Sequence, residues 1–166
     1  MHEAGTRLRA AAVCYLVAWA VHTGDHLRRG LGVLSAEVTA AGTAGAVLQL
    51  VAIAAVLTRR RWAPVAAVAV GFPDALGIAA VHLLPHWSSF SDSFPGAKGT
   101  GVTGFSWFAA ILEIAGALAF GAAGAYAWWS RAARLTRDSR SGSGGAPSRP
   151  GDRGRGPGTP AGTSAS

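Results

Sequence analysis

Two pairs of histidines stand out in an otherwise apolar chain of 166 residues. The pairs are His22 with His26, and His82 with His86. Both have an i, i+4 spacing, by which one helix turns two imidazoles to the same side and can offer both to a single metal ion. Asp25 lies within the first pair and adds a carboxylate beside it. These residue types in this spacing are typical of a metal site.

Proline interrupts the second pair. Pro85 disfavours helical backbone at Leu84, so we expect the helix to end near residue 84. His82 then lies in its last turn and His86 in the loop that follows. Helix geometry alone therefore does not guarantee that these two imidazoles meet one ion.

Two carboxylates deep within apolar segments add to the set of candidate polar residues. Asp74 follows Pro73 in the middle of one segment, and Glu113 lies about two turns after Trp107 in another. A charged acid at mid-bilayer costs about 2.5–3.5 kcal/mol on insertion scales, so each acid should be protonated, paired or hydrated. Mixed imidazole and carboxylate ligands suit Zn, Fe(II) or Mn(II) better than copper(I). The candidate metal ligands are His22, Asp25, His26, His82, His86 and Glu113; a proton relay would instead use Asp74 and Glu113.

The elements that must position these groups are apolar segments. The chain is 50% hydrophobic and 14% charged, whereas soluble domains have about 25% charged residues. Apolar segments cover about residues 10–27, 34–57, 63–84 and 105–129, and the last three have the roughly 20 residues that a bilayer requires. We predict an all-α, four-helix transmembrane bundle over residues 1–135. Residues 136–166, rich in serine, glycine, proline and arginine, are predicted to be a disordered cytoplasmic tail.

The distribution of arginines predicts how the chain is oriented in the membrane. With four spans, the N-terminus, the second loop and the C-terminus lie on one side and hold nine arginines up to residue 140, whereas the other side has only Arg28, Arg29 and Lys98. The positive-inside rule places both termini in the cytoplasm and both histidine pairs outside. The net charge of +7 is thereby explained by topology, and no nucleic-acid partner is expected. Alanine, glycine and arginine bias suggests a bacterial inner-membrane protein.

The first segment has a second interpretation. Arg7 and Arg9, a short apolar core and Ala18-Trp19-Ala20 also fit a cleaved signal peptide. If the segment is retained as a span, His22, Asp25 and His26 must face protein or water.

Small residues and the loop near residues 87–101 lead to further predictions. Helix packing is expected of glycines 42, 45, 116, 121 and 124. The single cysteine, Cys14, excludes an intrachain disulfide and is expected to be a small buried residue.

The loop near residues 87–101 could cap an outward site and add Asp92 as a ligand, or be an ordinary surface loop.

Four functions fit these observations. The first is a membrane metal site, whose ion could activate water for hydrolysis of a lipid-like substrate. The second is b-type haem held by one histidine from the first segment and one from the third. The third is proton or solute handling, for which four spans would require a homo-oligomer. The fourth is a structural membrane protein with no ligand. The sequence does not decide whether the chain is an enzyme.

Overall fold

The computed structural model describes residues 2–142, and its regular structure is helical throughout that range. The long helices are α1 (His2–Arg29), α2 (Ala36–Leu57), α3 (Ala63–His82) and α4 (Gly104–Gly142), with a short 3-10 turn at Leu31–Val33 between the first two. Each of the four predicted apolar segments overlaps one long helix, with residues 34–35 and 83–84 outside α2 and α3. Helix α4 continues past the predicted start of the tail, and residues 143–166 of that tail lie outside the described residues.

Local sequence explains several helix ends. Helix α2 begins after Ser35, whose side chain accepts a hydrogen bond of 3.1 Å from the backbone N–H of Val38. Pro64 lies in the first turn of α3, where a missing N–H costs nothing. Helix α3 ends at His82, shortly before Pro85, in agreement with the proline argument. These ends place His82 in a last turn, as the sequence predicts.

Three helices are long and apolar enough to cross a membrane. They are Ala36–Leu57, Ala63–His82 and Gly104–Arg134. The prediction of a helical protein with several candidate membrane spans is thereby confirmed for α2, α3 and α4. Helix α1 is less apolar because its C-terminal half carries two histidines and Asp25.

Contacts between helix ends establish the arrangement of the bundle. At one end the Arg7 guanidinium carbon lies 5.5 Å from the centroid of the Tyr126 ring, and Arg131 donates a hydrogen bond of 3.0 Å to the carbonyl of Arg61. At the other end Arg28 donates to the carbonyl of Gly101 over 2.9 Å. The helices therefore run up, down, up and down. The end that holds Arg28 also holds both predicted histidine pairs.

Packing is uneven around the bundle. Helix α4 has its most extensive contacts with α3 and α1, whereas α2 contacts its neighbours less. A Cβ added at Gly71 of α3 would lie 2.6 Å from the carbonyl oxygen of Ala117 in α4, and one at Gly124 would lie 2.7 Å from the Cβ of Ala67. Backbone atoms thus approach closely at the α3–α4 interface, as small residues permit.

Two of the five glycines expected to pack do not do so. Gly116, Gly121 and Gly124 contact a neighbouring helix, but a Cβ added at Gly42 or Gly45 of α2 would meet no atom within 4 Å. The packing prediction was wrong for these two because α2 stands away from the bundle there and a cavity lies alongside it. Cys14 is exposed on α1, so its expected burial was also wrong.

Candidate metal centre

Three histidines meet where the end of α1 passes the end of α3. One nitrogen from each of His22, His26 and His82 can be chosen so that all three lie within 4.8 Å of one another. Their ring centroids are 4.7 Å apart for His22 and His26, 4.9 Å for His22 and His82, and 5.4 Å for His26 and His82. Over the described part of the chain, this cluster is the group that could hold a metal ion.

The nitrogens of His22 have different surroundings. Nδ1 contacts the carboxylate of Glu113, which lies 91 residues away in α4. Nε2 is buried and has no hydrogen-bond partner. Because a carboxylate accepts, the contact favours a proton on Nδ1 and leaves the Nε2 lone pair free. Metal-binding histidines are commonly oriented in this way by a carboxylate on the other nitrogen.

A backbone carbonyl fixes the ring of His82. Its Nδ1 lies 3.1 Å from the carbonyl oxygen of Asp92 and must donate to it, so Nε2 is the nitrogen free to bind a ligand. The third ring is less constrained, because Nδ1 of His26 is buried without a hydrogen-bond partner. This Nδ1 lies 3.9 Å from a carboxylate oxygen of Asp92, which is too far for a hydrogen bond.

The loop after α3 covers one side of the cluster. Asp92 forms a bidentate ion pair with Arg29 of α1, with nitrogen–oxygen distances of 2.6 and 2.7 Å. The backbone N–H of Phe94 donates to the carbonyl of His82, and the centroids of these two rings are 4.6 Å apart. The loop is therefore joined to α1 by charge and to α3 by its backbone.

The charge of Asp92 depends on this ion pair. Burial alone would raise the pKa of its carboxyl group, but the hydrogen bonds and positive charge of Arg29 outweigh burial and leave the pKa below its usual value. Asp92 is therefore ionised near neutral pH. Its negative charge lies beside the imidazoles of His26 and His82.

A chain of hydrogen bonds leads from the cluster into the bundle and includes residues of all four helices. Gln49 of α2 donates through Nε2 to Asp74 over 2.5 Å and to Glu113 over 3.4 Å. The Tyr15 hydroxyl donates to the other oxygen of Asp74 over 2.5 Å. Neither Tyr15 nor Gln49 was among the site residues predicted from the sequence. A glutamine in the middle of an apolar segment was the available signal for the second.

The structure brings together half of the predicted metal ligands. Asp25 is buried but accepts hydrogen bonds from Arg28 at 2.7 and 3.0 Å, and it lies outside the three-histidine group. His86 is exposed in the loop and also lies outside that group. Glu113 contacts Nδ1 of His22 and also lies outside that group. The other proposed relay acid, Asp74, is linked to Glu113 through Gln49.

A cavity of about 530 Å³ adjoins the cluster. Its polar lining comes from the three histidines, Gln49, Asp74 and Glu113, together with two threonines of α2 and one of α1. The remaining lining is apolar and comes largely from α2 and α3. The histidines therefore lie beside a space large enough for a small organic molecule.

The comparisons with known proteins give no family for this chain. No family model matches it, and neither a curated protein nor a solved structure shows a significant match.

Proposed function

We propose that this chain is a four-span membrane metalloprotein that binds one divalent ion, with zinc favoured, at His22, His26 and His82 near the outer face of the membrane. The observation that carries the proposal is the Nε2 atom of His22. It is buried and lacks a hydrogen-bond partner, its ring is held through Nδ1 by Glu113, and the ring centroids of His26 and His82 lie 4.7 and 4.9 Å from the centroid of that ring. Buried polar atoms without partners are rare, and a bound ion satisfies this one.

The surface of α1 supports its assignment as a fourth span. Between residues 10 and 27 its exposed positions are Ala10, Val13, Cys14, Val17, Ala20, Gly24 and Leu27, all apolar or small. His22 and Asp25 face the interior instead. Eighteen helical residues rise about 27 Å, close to the thickness of a hydrocarbon core. Cleavage near Ala20 would also remove Leu8, Ala12 and Tyr15 from the core, so we favour retention.

Zinc suits this donor set best among the predicted metals. Three imidazoles with a fourth position left open are the arrangement of catalytic zinc sites. Tetrahedral zinc with bonds of about 2.0–2.1 Å would bring the three nitrogens to about 3.4 Å from one another, so the rings must close slightly around the ion. When bound, zinc supplies a Lewis acid and an activated water at its open position. Iron(II) and manganese(II) would call for more oxygen ligands than this cluster presents.

Haem fits the cluster less well. Axial ligation by His22 and His82 needs the two rings on opposite faces of a macrocycle, yet their centroids are only 4.9 Å apart and His26 lies beside both. No space remains between the rings for a porphyrin. Glu113, packed against His22, also adds a negative charge that such a pocket does not need.

A proton relay and a purely structural role are the remaining alternatives. The amide of Gln49 lies between Asp74 and Glu113, and an amide does not readily pass a proton from one acid to the other. The network is better suited to hold Glu113 in place. A structural role would leave the free nitrogen of His22 without an explanation.

Metal content of the purified protein tests the proposal. Protein from zinc-supplemented cells, measured by elemental analysis in detergent, should hold close to one equivalent of zinc. Replacing His22 and His82 together by alanine should remove it, because one imidazole cannot retain the ion. The matched control is His86→Ala, which changes an exposed histidine outside the cluster and should leave the metal content unchanged. Metal-free wild-type protein, or equal zinc in the double variant, would refute the site.

Glu113→Gln separates an orienting carboxylate from a ligand. Loss of such an outer partner typically weakens metal affinity about 10- to 100-fold. X-ray absorption of the zinc-loaded variant should still show three imidazole ligands. A spectrum with one ligand fewer would instead identify Glu113 as a direct ligand.

A further inference from the structure

We infer that the cavity beside the histidine cluster binds a single-chain amphiphile whose carboxylate occupies the open coordination position of the metal and whose alkyl chain lies between α2 and α3. The inference rests on the proposed metal site. It adds a ligand class and a route of entry, neither of which metal binding requires.

The walls of the cavity fit an alkyl chain. Small residues of α2, including Gly42 and Gly45, face Ala69 and Gly77 of α3 across the space. A Cβ added at Gly42, Gly45 or Gly77 would meet no atom within 4 Å, so the space beside these glycines is unfilled by the protein. An apolar space of this size in a membrane protein suits one hydrocarbon chain and is small for a two-chain lipid.

Two residues of the cavity wall carry buried polar atoms without hydrogen-bond partners. Both His22 and Gln49 line the cavity, are at most 5% exposed, and carry an atom without a hydrogen-bond partner. The ion would satisfy Nε2 of His22. A ligand with a polar end therefore matches this wall better than a plain hydrocarbon.

The charge of the bound ion favours a carboxylate as the polar end of the amphiphile. Three neutral imidazoles and the single negative charge of Glu113 leave one positive charge of a divalent ion uncompensated, because Asp92 is already paired with Arg29. An anionic oxygen, a usual zinc ligand, would supply the missing charge. No lysine or arginine of the described chain lines the cavity. Arg28 and Arg29 are instead paired with Asp25 and Asp92. A phosphate head group would lack cationic partners beyond the ion itself, whereas a single carboxylate needs none.

The loose packing of α2 provides the route of entry. Helix α2 makes less extensive contacts than the other helices, and most of its residues from Thr39 to Leu48 are exposed. The cavity lies against this stretch and is lined by several of its residues. A chain already dissolved in the bilayer could enter sideways past α2 without crossing water.

Cobalt spectroscopy tests whether the head group reaches the metal. The zinc-free full-length protein is loaded with Co(II), whose visible absorption responds to its ligands, and is titrated with dodecanoate in detergent. The bands should change and saturate near one equivalent. Dodecyltrimethylammonium has the same chain but no oxygen donor, and it should leave the bands unchanged.

Variants of the cavity wall separate specific binding from simple access to the ion. Gly42→Leu and Gly77→Leu place side chains beside the unfilled space, and each should weaken the dodecanoate response at least about tenfold while the cobalt bands without dodecanoate stay unchanged. The matched control is Ala44→Leu, an exposed position of α2 outside the cavity lining, which should respond like wild type.

The outcomes distinguish the two proposals. Failure of the wild-type protein to bind Co(II) or zinc would overturn the metal site itself. Cobalt binding with no response to dodecanoate would overturn the amphiphile alone. An equal response in wild type, Gly42→Leu and Gly77→Leu would also overturn it, because the head group would then reach the metal without using the cavity.

Discussion

The glycines of α3 and α4 and those of α2 are the same residue type in similar apolar sequences, yet they do opposite things. Gly71 and Gly124 let two backbones touch, so that an added Cβ would lie 2.6 or 2.7 Å from an atom of the partner helix. Gly42 and Gly45 adjoin open space. Small residues thus allow close packing at the α3–α4 interface, which is the packed side of the bundle. Beside α2 they leave a cavity, and this is the hollow side.

The hollow side has polar connections in place of close packing. Helix α2 is joined to its neighbours by the hydrogen bonds of Gln49 and by the Ser35 hydroxyl, which donates to the carbonyl of Ser89 over 2.5 Å. Above the cavity, the ion pair of Arg29 and Asp92 holds the loop over the histidines. Directional contacts can keep a space open, whereas the collapse of apolar walls would close it.

The largest expected effect comes from breaking the ion pair that holds the loop. Asp92→Asn leaves the Arg29 guanidinium buried without its anion, and breaking one side of such a pair costs about 3–5 kcal/mol. The free energy of unfolding in mixed micelles should fall by that amount. Glu3→Gln breaks an exposed pair with Arg7 and should cost at most about 1 kcal/mol. Equal effects of the two changes would mean that the buried pair has no special part in stability.

The same pair predicts a dependence on pH. Because the pKa of Asp92 is lowered in the folded protein, its stabilisation is present above the unfolded value of about 3.9 and is lost as pH falls through the lower folded value. Unfolding measured from pH 7 down to pH 2 should show a loss of stability in wild type over this acidic range. Asp92→Asn should lack that component. An unchanged pH profile in the variant would contradict the assignment.

Gly71→Ala probes the packed side. The new methyl group would overlap backbone atoms of α4, and overpacking typically costs about 1–3 kcal/mol. Unfolding in mixed micelles should show this loss, and metal affinity should change little because Gly71 lies outside the cluster. A neutral substitution would show that the α3–α4 interface can move apart easily.

Gly45→Ala is the matched change on the hollow side and should have the smallest effect. Alanine is favoured over glycine inside a helix by about 0.5–1 kcal/mol, and its methyl group meets no neighbour at this position. The free energy of unfolding should rise slightly. Destabilisation similar to that of Gly71→Ala would mean that α2 packs as tightly as α4 and that the contrast is wrong.

The local features of this protein followed from its sequence. Apolar runs located all four helices, Pro85 located the end of α3, and i, i+4 spacing placed His22 and His26 on one side of α1. Each of these depends on residues within a few turns of one another, and helical periodicity is a local property. The isolated polar groups Asp74 and Glu113 were also recognised, because polar groups at such depth need partners.

The partners themselves were decided only by the tertiary structure. His82 joined the cluster while His86 stayed outside it, Glu113 reached Nδ1 of His22, and Arg29 paired with Asp92. The cavity likewise depends on how far α2 stands from α3. The sequence shows which side of each helix is polar or small. The distance and rotation between helices, which decide whether two atoms 60 to 90 residues apart meet, result from the packing of all four helices at once.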